Sequence, residues 1–445
     1  MNTLNLYDIL YKWNHWGGQK REESFPRKIA DKIKSFINEP EIITIIGPRR
    51  AGKTTIMFQI MQYLEEQGVD PKAILHLNFE EPALSPELKL PLLDSIYETY
   101  RNHVFPKGKA YLFFDEIQNV PEWERWVRTK NDTDDVKIFI TGSSAQLMSR
   151  ELATLLTGRH ITFEVLPLDF SEVLQFRKIT LPNQPYPSKA PPEIQHVLLD
   201  YLRWGGFPRI VLTNDETVRH QLLKRYFEDI LYKDIIIRHH IRDVKTLRSL
   251  AVYLLTQTAS LISYKRLCDL FSVSHDLVEN YCRYLQESFI IDLLPFYTFK
   301  TGERVRKPIK VYAIDLGLRR IASFDEDNYG KQIETLVFRH LFTQEQDGLF
   351  YWQNKGEIDL IARKGMEITS LIQITHSGLD NPKTFKREIA ALIEAGEHFP
   401  RAKKYIITLD LPQHYPAEKP QDIHIIPLWQ YLLDPASERI KHPPE

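Results

Sequence analysis

The chain has 445 residues, with 58 Lys and Arg against 59 Asp and Glu and a formal net charge of −1. That length calls for roughly two to four domains, and the balanced charge excludes a protein that is basic throughout, so any nucleic-acid contact must come from a local patch. No apolar run reaches the roughly 18 residues needed to cross a bilayer, and the N-terminal MNTLNLYDILYKWNHW lacks the basic-then-apolar layout of a signal peptide; a cytoplasmic protein without membrane partners is expected.

The first strong motif is EIITIIGPRRAGKTTIMFQIMQYL, which reads as a buried strand over 42–46, a glycine loop, and a helix starting near Lys53. This is the P-loop pattern in the context it requires. Gly47, Pro48, Arg49, Arg50, Ala51 and Gly52 form a loop whose N–H groups can nest an anion at a helix N-terminus. Lys53 is placed to reach the β- and γ-phosphates, Thr54 to hold Mg²⁺, and Thr55 follows in the same turn. ATP or GTP with Mg²⁺ is the expected ligand.

Downstream, KAYLFFDEIQNVPEWERWV carries an apolar strand over 111–114 that ends at Asp115, a second Mg²⁺ ligand, followed by Glu116. A carboxylate at that point can orient and deprotonate an attacking water, which makes Glu116 the candidate general base. The strand in VKIFITGSSAQLM delivers Thr141 and Ser143 to the same sheet edge, where either can sense the γ-phosphate or serve only as a helix cap. Arg159, just before a last strand, can stabilise phosphoryl charge in its own or a neighbouring subunit, or act as an ion-pair partner.

Expected strands at 42–46, 73–79, 111–114, 137–141 and 161–166 alternate with helical segments, which predicts a parallel three-layer α/β core. The Pro-rich stretch 180–193 marks a loop or linker. Helices broken at Gly205, Gly206 and Pro208 follow, and they resemble the helical lid of AAA+ ATPases. Next, LISYKRLCDLFSVSHDLVENYCRYLQESFIIDLLPFY shows two short amphipathic helices joined by a turn, then an apolar strand, a winged-helix pattern. Cys268 and Cys282 lie on apolar helix faces and read as packed, reduced thiols. KTGERVRKPIK is the expected wing, with Lys300, Arg304, Arg306, Lys307 and Lys310 available to DNA phosphates.

As a whole the chain resembles prokaryotic AAA+ ATPases with a C-terminal domain of unknown function, in which a winged helix is joined to a fold related to PD-(D/E)xK nucleases. The resemblance spans about 27–433 and rests on GPRRAGKTT, LNFEEPAL, FFDEIQNVPEWE, TGSSAQLMSRELATLLTGR, YLRWGGFP, KVYAIDLGLRR and the pair EIDLIA and LIQITHS. It implies a P-loop AAA+ (ASCE) core over 1–192, a helical lid over 193–260, a winged helix over 261–325, a restriction-endonuclease-like α/β domain over 326–435 and a tail over 436–445. It also implies an ATPase that acts on DNA. The expected partners are duplex or branched DNA and further copies of the chain, in a homo-oligomer that forms a hexamer-like ring or partial ring.

Nucleases of that type hold Mg²⁺ between an acid on one strand and an acid-x-lysine on the next. Mapped onto this chain, Glu334 is the helix acid and Asp359 the strand acid, while Gln373 and Thr375 stand where the acid and lysine belong. Threonine cannot replace lysine, and Lys383 or Lys386 would have to fill the gap from elsewhere. The domain is therefore expected to bind or assemble rather than cut. Asp410 and His424 lack metal-ligand spacing. Two readings stay open: an ATP-driven DNA remodeller, or a nucleotide switch that acts on a protein partner or regulatory DNA. An ATP-regulated nuclease is disfavoured by Thr375.

Overall fold

The computed structural model describes residues 3–18, 24–142, 158–184, 186–298, 300–322, 329–343, 348–412 and 414–433. Ser143 and the expected tail lie outside these residues. The chain divides into two compact units, Met1–Pro167 and Leu168–Glu445.

In the first unit, β1 (Ile42–Ile46), β2 (Ile74–Asn78), β3 (Ala110–Asp115), β4 (Val136–Gly142) and β5 (His160–Glu164) form a sheet in the order β2-β3-β4-β1-β5. Every pairing is parallel. The sequence IITII is buried at all five positions, as a strand covered on both faces must be. Helices α1 (Thr3–Trp13), α2 (Lys28–Lys34), α3 (Lys53–Glu66), α4 (Leu90–His103) and α5 (Trp123–Thr133) accompany the sheet. The register sets Ile46 beside Gly142, and Asn78 beside Asp115. Parallel strands therefore bring Gly47, Asn78, Asp115 and Thr141 to one edge of the sheet.

The N-terminal segment, to which the sequence assigns no role, covers the edge strand β2. Asn14 substitutes for a neighbouring strand: its Nδ2 donates to the His76 carbonyl at 2.9 Å, and its Oδ1 accepts from the His76 N–H at 2.6 Å. An uncovered strand edge is an open template for unwanted pairing, and the asparagine closes it.

In the second unit, α6 (Phe170–Phe176) starts at a capping box made by Asp169 and Glu172. The Leu168 N–H bonds Gly206 and its carbonyl accepts from the Tyr201 hydroxyl at 2.9 Å. These contacts draw residues 168–176 into the second unit, ahead of the Pro-rich stretch where the sequence suggested a boundary. Helices α7 (Pro192–Trp204), α8 (Pro208–Leu212) and α9 (Glu216–Asp229) follow, then a π-helical turn over Ile230–Ile236 and α10 (Val244–Thr256).

The chain continues through β6 (Ser260–Ile262), α11 (Tyr264–Phe271), α12 (His275–Glu287), β7 (Ile291–Leu294), α13 (Thr301–Arg306) and β8 (Ile309–Ala313), with an antiparallel sheet in the order β6-β8-β7. Cys282 is buried and Cys268 half-buried, and both are free thiols. After α14 (Leu316–Ala322) and α15 (Tyr329–Phe342) comes a five-stranded sheet in the order β13-β12-β11-β10-β9. Its strands are β9 (Gly348–Gln353), β10 (Glu357–Lys364), β11 (Glu367–Thr375), β12 (Lys403–Thr408) and β13 (Ile423–Pro427), with α16 (Pro382–His398) and α17 (Leu428–Leu433). The β9-β10-β11 pairings are antiparallel and the β11-β12-β13 pairings parallel.

The expected wing takes a different form. Phe296 bridges to Tyr351 of β9, and the Tyr297 N–H bonds the Tyr351 carbonyl at 2.8 Å. The segment then forms α13 and returns as β8. The physical reason is the open edge of β9, whose backbone groups the apolar Phe296–Tyr297 segment satisfies. Among the described residues, no helix is long and apolar enough to cross a membrane.

Candidate functional site

The P-loop follows β1 directly. Gly47 has φ +148, and a Cβ there would stand 2.0 Å from the Val165 carbonyl oxygen. Gly52, at φ +102, caps α3 in a left-handed conformation. Pro48, Arg50 and Ala51 complete the turn, and Thr55 follows Thr54 in the first turn of α3. Arg27 braces this loop from outside it, donating to the Ala51 carbonyl at 3.0 Å and the Leu166 carbonyl at 2.9 Å. Arg49 pairs with Glu80 at 3.0 Å.

Inside the loop, Lys53 Nζ donates to the carbonyls of Gly47 at 3.0 Å and Pro48 at 3.3 Å, and lies 3.9 Å from Glu116 Oε1. Thr54 Oγ1 donates to Asp115 Oδ2 at 2.6 Å. The Thr141 hydroxyl donates to the other Asp115 oxygen and accepts the Glu116 N–H at 3.0 Å. Burial, then the neighbouring Glu116 charge, pushes Asp115 above the usual carboxylate range, while the Thr141 and Thr54 hydroxyls work against that rise. Glu116 holds a left-handed backbone at φ +54, uncommon for a residue with a side chain, and Gln118 bonds its carboxylate.

Thr54 and Asp115 thus present two hard oxygen donors 2.6 Å apart at the P-loop, a donor set that fits Mg²⁺. Asn78 is a member of this group that sequence reasoning passed over. Its Nδ2 donates to Asp115 Oδ2 at 3.3 Å. The available signal was a polar residue ending an apolar strand, ILHLN, beside the strand that carries the acids.

Arg159 is not brought to this group within its own chain. Its carbonyl accepts the Ile42 N–H at the start of β1, whereas the P-loop leaves the far end of that strand. Five strand residues separate the two ends by about 17 Å. The half-exposed guanidinium pairs instead with Asp132 at 3.1 Å.

A second cluster forms in the second unit. Glu334 on α15 and Asp359 on β10 come together as the sequence suggested, and the lysine that joins them is Lys310. Expected among exposed phosphate contacts, Lys310 is 3% exposed and its Nζ lies 2.9 Å from Glu334, 3.0 Å from Glu357 and 3.1 Å from Asp359. It reaches them because β8 alternates side chains, which puts Lys310 and Tyr312 on one face. The Tyr312 hydroxyl donates to Glu334 at 2.7 Å.

Burial works against the Lys310 ammonium, but Asp359, Glu334 and Glu357 outweigh it and hold its pKa above the usual lysine value. Burial, then Asp359, pushes Glu334 up. Gln373 accepts the Asp359 N–H at 3.4 Å, while the Thr375 hydroxyl turns to the Ser377 carbonyl at 3.0 Å. Lys383 and Lys386 are exposed and do not fill the gap. Among the described residues, no group of three or more His, Cys, Asp or Glu side chains is arranged to hold a metal ion, Asp410 and His424 included.

Of the other basic residues, Lys300, Arg306 and Lys307 line a surface concavity of ≈ 620 Å³ together with Gly302. Arg304 donates to the Thr298 carbonyl at 2.9 Å and lies over the Phe350 ring.

The WGGFP and IDLGLR runs have a shared mechanical role. Asp315 accepts from the N–H groups of Gly206 at 2.7 Å and Gly317 at 2.8 Å. A Cβ on Gly205, which has φ +73, would stand 2.1 Å from the Asp315 carboxylate. Burial, opposed by those backbone donors, pushes Asp315 up to about 6.

Residues 39–174 match the AAA domain, and residues 195–328 match a domain of unknown function, DUF8612. Uncharacterized protein MJ1544 of Methanocaldococcus jannaschii is 32% identical over 423 residues, 90% of each chain. An uncharacterized protein of Haemophilus influenzae is 29% identical over 356 residues, covering 78% of this chain and 84% of its own. Among solved structures, the Aeropyrum pernix ORC1 protein in complex with DNA covers 68% of this chain and 94% of its own, at 13% identity and a TM-score of 0.33. With a P-loop and paired acids inside its AAA-domain match and a likeness along nine-tenths of the archaeal protein's length, the chain carries an AAA domain and belongs to the family of MJ1544.

Proposed function

We propose that this protein is a Mg²⁺-dependent ATPase that couples hydrolysis to binding and remodelling DNA as an oligomer. The observation that carries the ATPase reading is the convergence of Lys53, Thr54, Asp115 and Glu116 on one P-loop, with Thr54 and Asp115 2.6 Å apart. Thr54 and Asp115 would hold Mg²⁺, which would supply positive charge against the phosphates. Lys53 exchanges its carbonyl partners at Gly47 and Pro48 for β- and γ-phosphate oxygens. Glu116 orients the attacking water and takes its proton, and Thr141, bonded to both acids, reports the state of the site. Arg159, about 17 Å from its own P-loop, is assigned to a neighbouring subunit's nucleotide in a ring-like assembly.

DNA contact is assigned to Lys300, Arg306 and Lys307 around their concavity. The order α10-β6-α11-α12-β7-α13-β8, with a helix where the wing would be, supports a winged-helix variant, and α15-β9-β10-β11-α16-β12 supports a nuclease-like fold. One observation favours the second reading, a nucleotide switch that acts on a protein partner. Helix α12, which stands where winged helices read a groove, exposes Asp276 and Glu279 against Arg283. Acidic side chains repel phosphates, so that face suits a protein better than DNA.

ATP turnover measured with and without forked or four-way DNA separates the two readings. DNA accelerates turnover and its strands are displaced if the protein is a remodeller. If every DNA structure leaves the rate unchanged, the switch takes its place. Lys53→Ala should lose nucleotide binding; a Lys53→Ala protein that still hydrolyses ATP would remove Lys53 from the site, and wild-type protein that releases no phosphate from ATP would remove the ATPase assignment altogether.

A further inference from the structure

Three carboxylates from two elements, Glu334 on α15 and Glu357 and Asp359 on β10, face one point in the second unit. Oxygens gathered that closely demand a cation, because the repulsion between Glu334 and Asp359, both largely buried, is otherwise uncompensated, and the more exposed Glu357 adds to it. In a hydrolytic centre built from such acids the cation is a divalent metal with several oxygen ligands. The residues present do not fit one here. The ammonium of Lys310 lies within 3.1 Å of all three acids and is itself buried.

Lys310 also arrives from a different part of the unit. It belongs to β8 of the three-stranded sheet, and the acids belong to the five-stranded sheet and its preceding helix. Tyr312, two residues on, adds a hydroxyl to Glu334 from the same face of β8, and its ring stacks on Phe338 of α15 at 4.0 Å. The backbone of the returning segment is tied down as well, since the Tyr351 hydroxyl donates to the Pro308 carbonyl. Thr375, where a lysine was expected, bonds a local carbonyl and plays no part in the cluster.

We propose that Lys310 is the built-in cation of this centre: its ammonium takes the place of a divalent ion and latches β8 to the C-terminal sheet, so the centre is metal-free and closed to phosphodiester chemistry. This rests on the nuclease-like reading of the C-terminal sheet and not on ATP turnover. The acids hold Lys310 in place, and the lysine neutralises them. The cluster therefore joins the element that follows the basic Lys300–Lys307 segment to the sheet behind it.

The test is Mn²⁺ binding to the intact, nucleotide-free protein by titration calorimetry, together with melting curves, for the wild type, Asp359→Asn, Lys310→Met, Lys310→Arg and the Lys310→Met/Asp359→Asn double variant. The wild type and Asp359→Asn should give the same Mn²⁺ isotherm, because the cluster holds no metal in either. Lys310→Met should gain a Mn²⁺ site, its Tm should rise with added Mn²⁺, and both effects should vanish in the double variant. Lys310→Arg should behave as the wild type.

If Asp359→Asn removes a Mn²⁺ site from the wild type, the latch is overturned while the nuclease-like reading stands. A folded Lys310→Met that gains no Mn²⁺ affinity overturns both. Should Lys310→Met fail to fold, the wild-type and Asp359→Asn isotherms and the Lys310→Arg variant decide the question by themselves.

Discussion

Two lysines in this molecule face buried acids, and they are held in opposite ways. Lys53 gives its bonds to two backbone carbonyls and stays 3.9 Å from Glu116. Lys310 meets three carboxylates within 3.1 Å. Neutral carbonyls are partners that a phosphate can displace, because a phosphate offers the ammonium a full charge. Carboxylates already offer that charge, so an anionic substrate has nothing to add and would be repelled by the surplus acids. One lysine is thus poised for exchange and the other is committed to structure. An acid-and-lysine group is not by itself evidence of catalysis; what matters is whether the lysine's present partners can be displaced.

The largest expected effect breaks the first site without touching the second. Glu116→Gln should lower the ATP turnover number by about 10² to 10⁴-fold while nucleotide affinity is retained, measured by phosphate release and by a binding titration. Normal turnover in that variant would mean another group acts as base. The melting temperature should hardly change, since glutamine keeps the side chain's shape.

The second site should respond the other way. Lys310→Met should cost about 3 kcal/mol of stability in denaturant unfolding, from carboxylates left without a cation. ATP turnover of the folded variant in the absence of DNA should stay near the wild-type value. A drop in basal turnover with no loss of stability would reverse the comparison.

Asp315 sharpens the contrast between held and exchangeable groups. Asp315→Asn should destabilise the protein by about 1 to 3 kcal/mol at neutral pH, because an amide cannot accept from both Gly206 and Gly317 as the carboxylate does. The pH dependence carries a sign. The folded Asp315 is pushed up to about 6 from an ordinary 3.8, so the native state binds its proton more tightly than the unfolded chain. Its contribution is fully present below about 3.8 and is lost as pH rises to about 6. Unfolding measured from pH 4 to 7 should show that decline in the wild type and not in Asp315→Asn.

The smallest effect concerns Arg159. Its pair with Asp132 is 40% and 41% exposed, so Arg159→Ala should change stability by less than about 1 kcal/mol. Turnover should fall only at protein concentrations where subunits associate. A loss that is independent of concentration would place the arginine's action inside its own subunit.

Much of the first site was legible because it is local. Gly47 through Thr54 is one loop and one helix start, and Asp115 and Glu116 end one strand, so short stretches of sequence carry both the chemistry and the backbone geometry. Parallel strand register then brings Thr141 alongside. Asn78 escaped notice because its role depends on which strand neighbours β3, and strand order is not written in any single stretch. For Arg159 the sequence left its own subunit, a neighbouring one and an ion pair open, for a related reason: a residue before a strand and a residue after one lie at opposite ends of a parallel sheet, and strand order decides what each end meets.

By itself, the sequence determined the P-loop, its acids, the alternation that makes a parallel core, and the helix and strand acids of the second cluster. Only the tertiary structure decided that Lys310, 24 residues from Glu334 and 49 from Asp359, supplies the missing positive charge, and that Asp315 clasps Gly206 across 109 residues. The reason is physical. Hydrogen-bonded loops and helix starts are specified by neighbouring residues, whereas the partner of a buried charge is whichever opposite charge the packing of distant elements brings within about 3 Å.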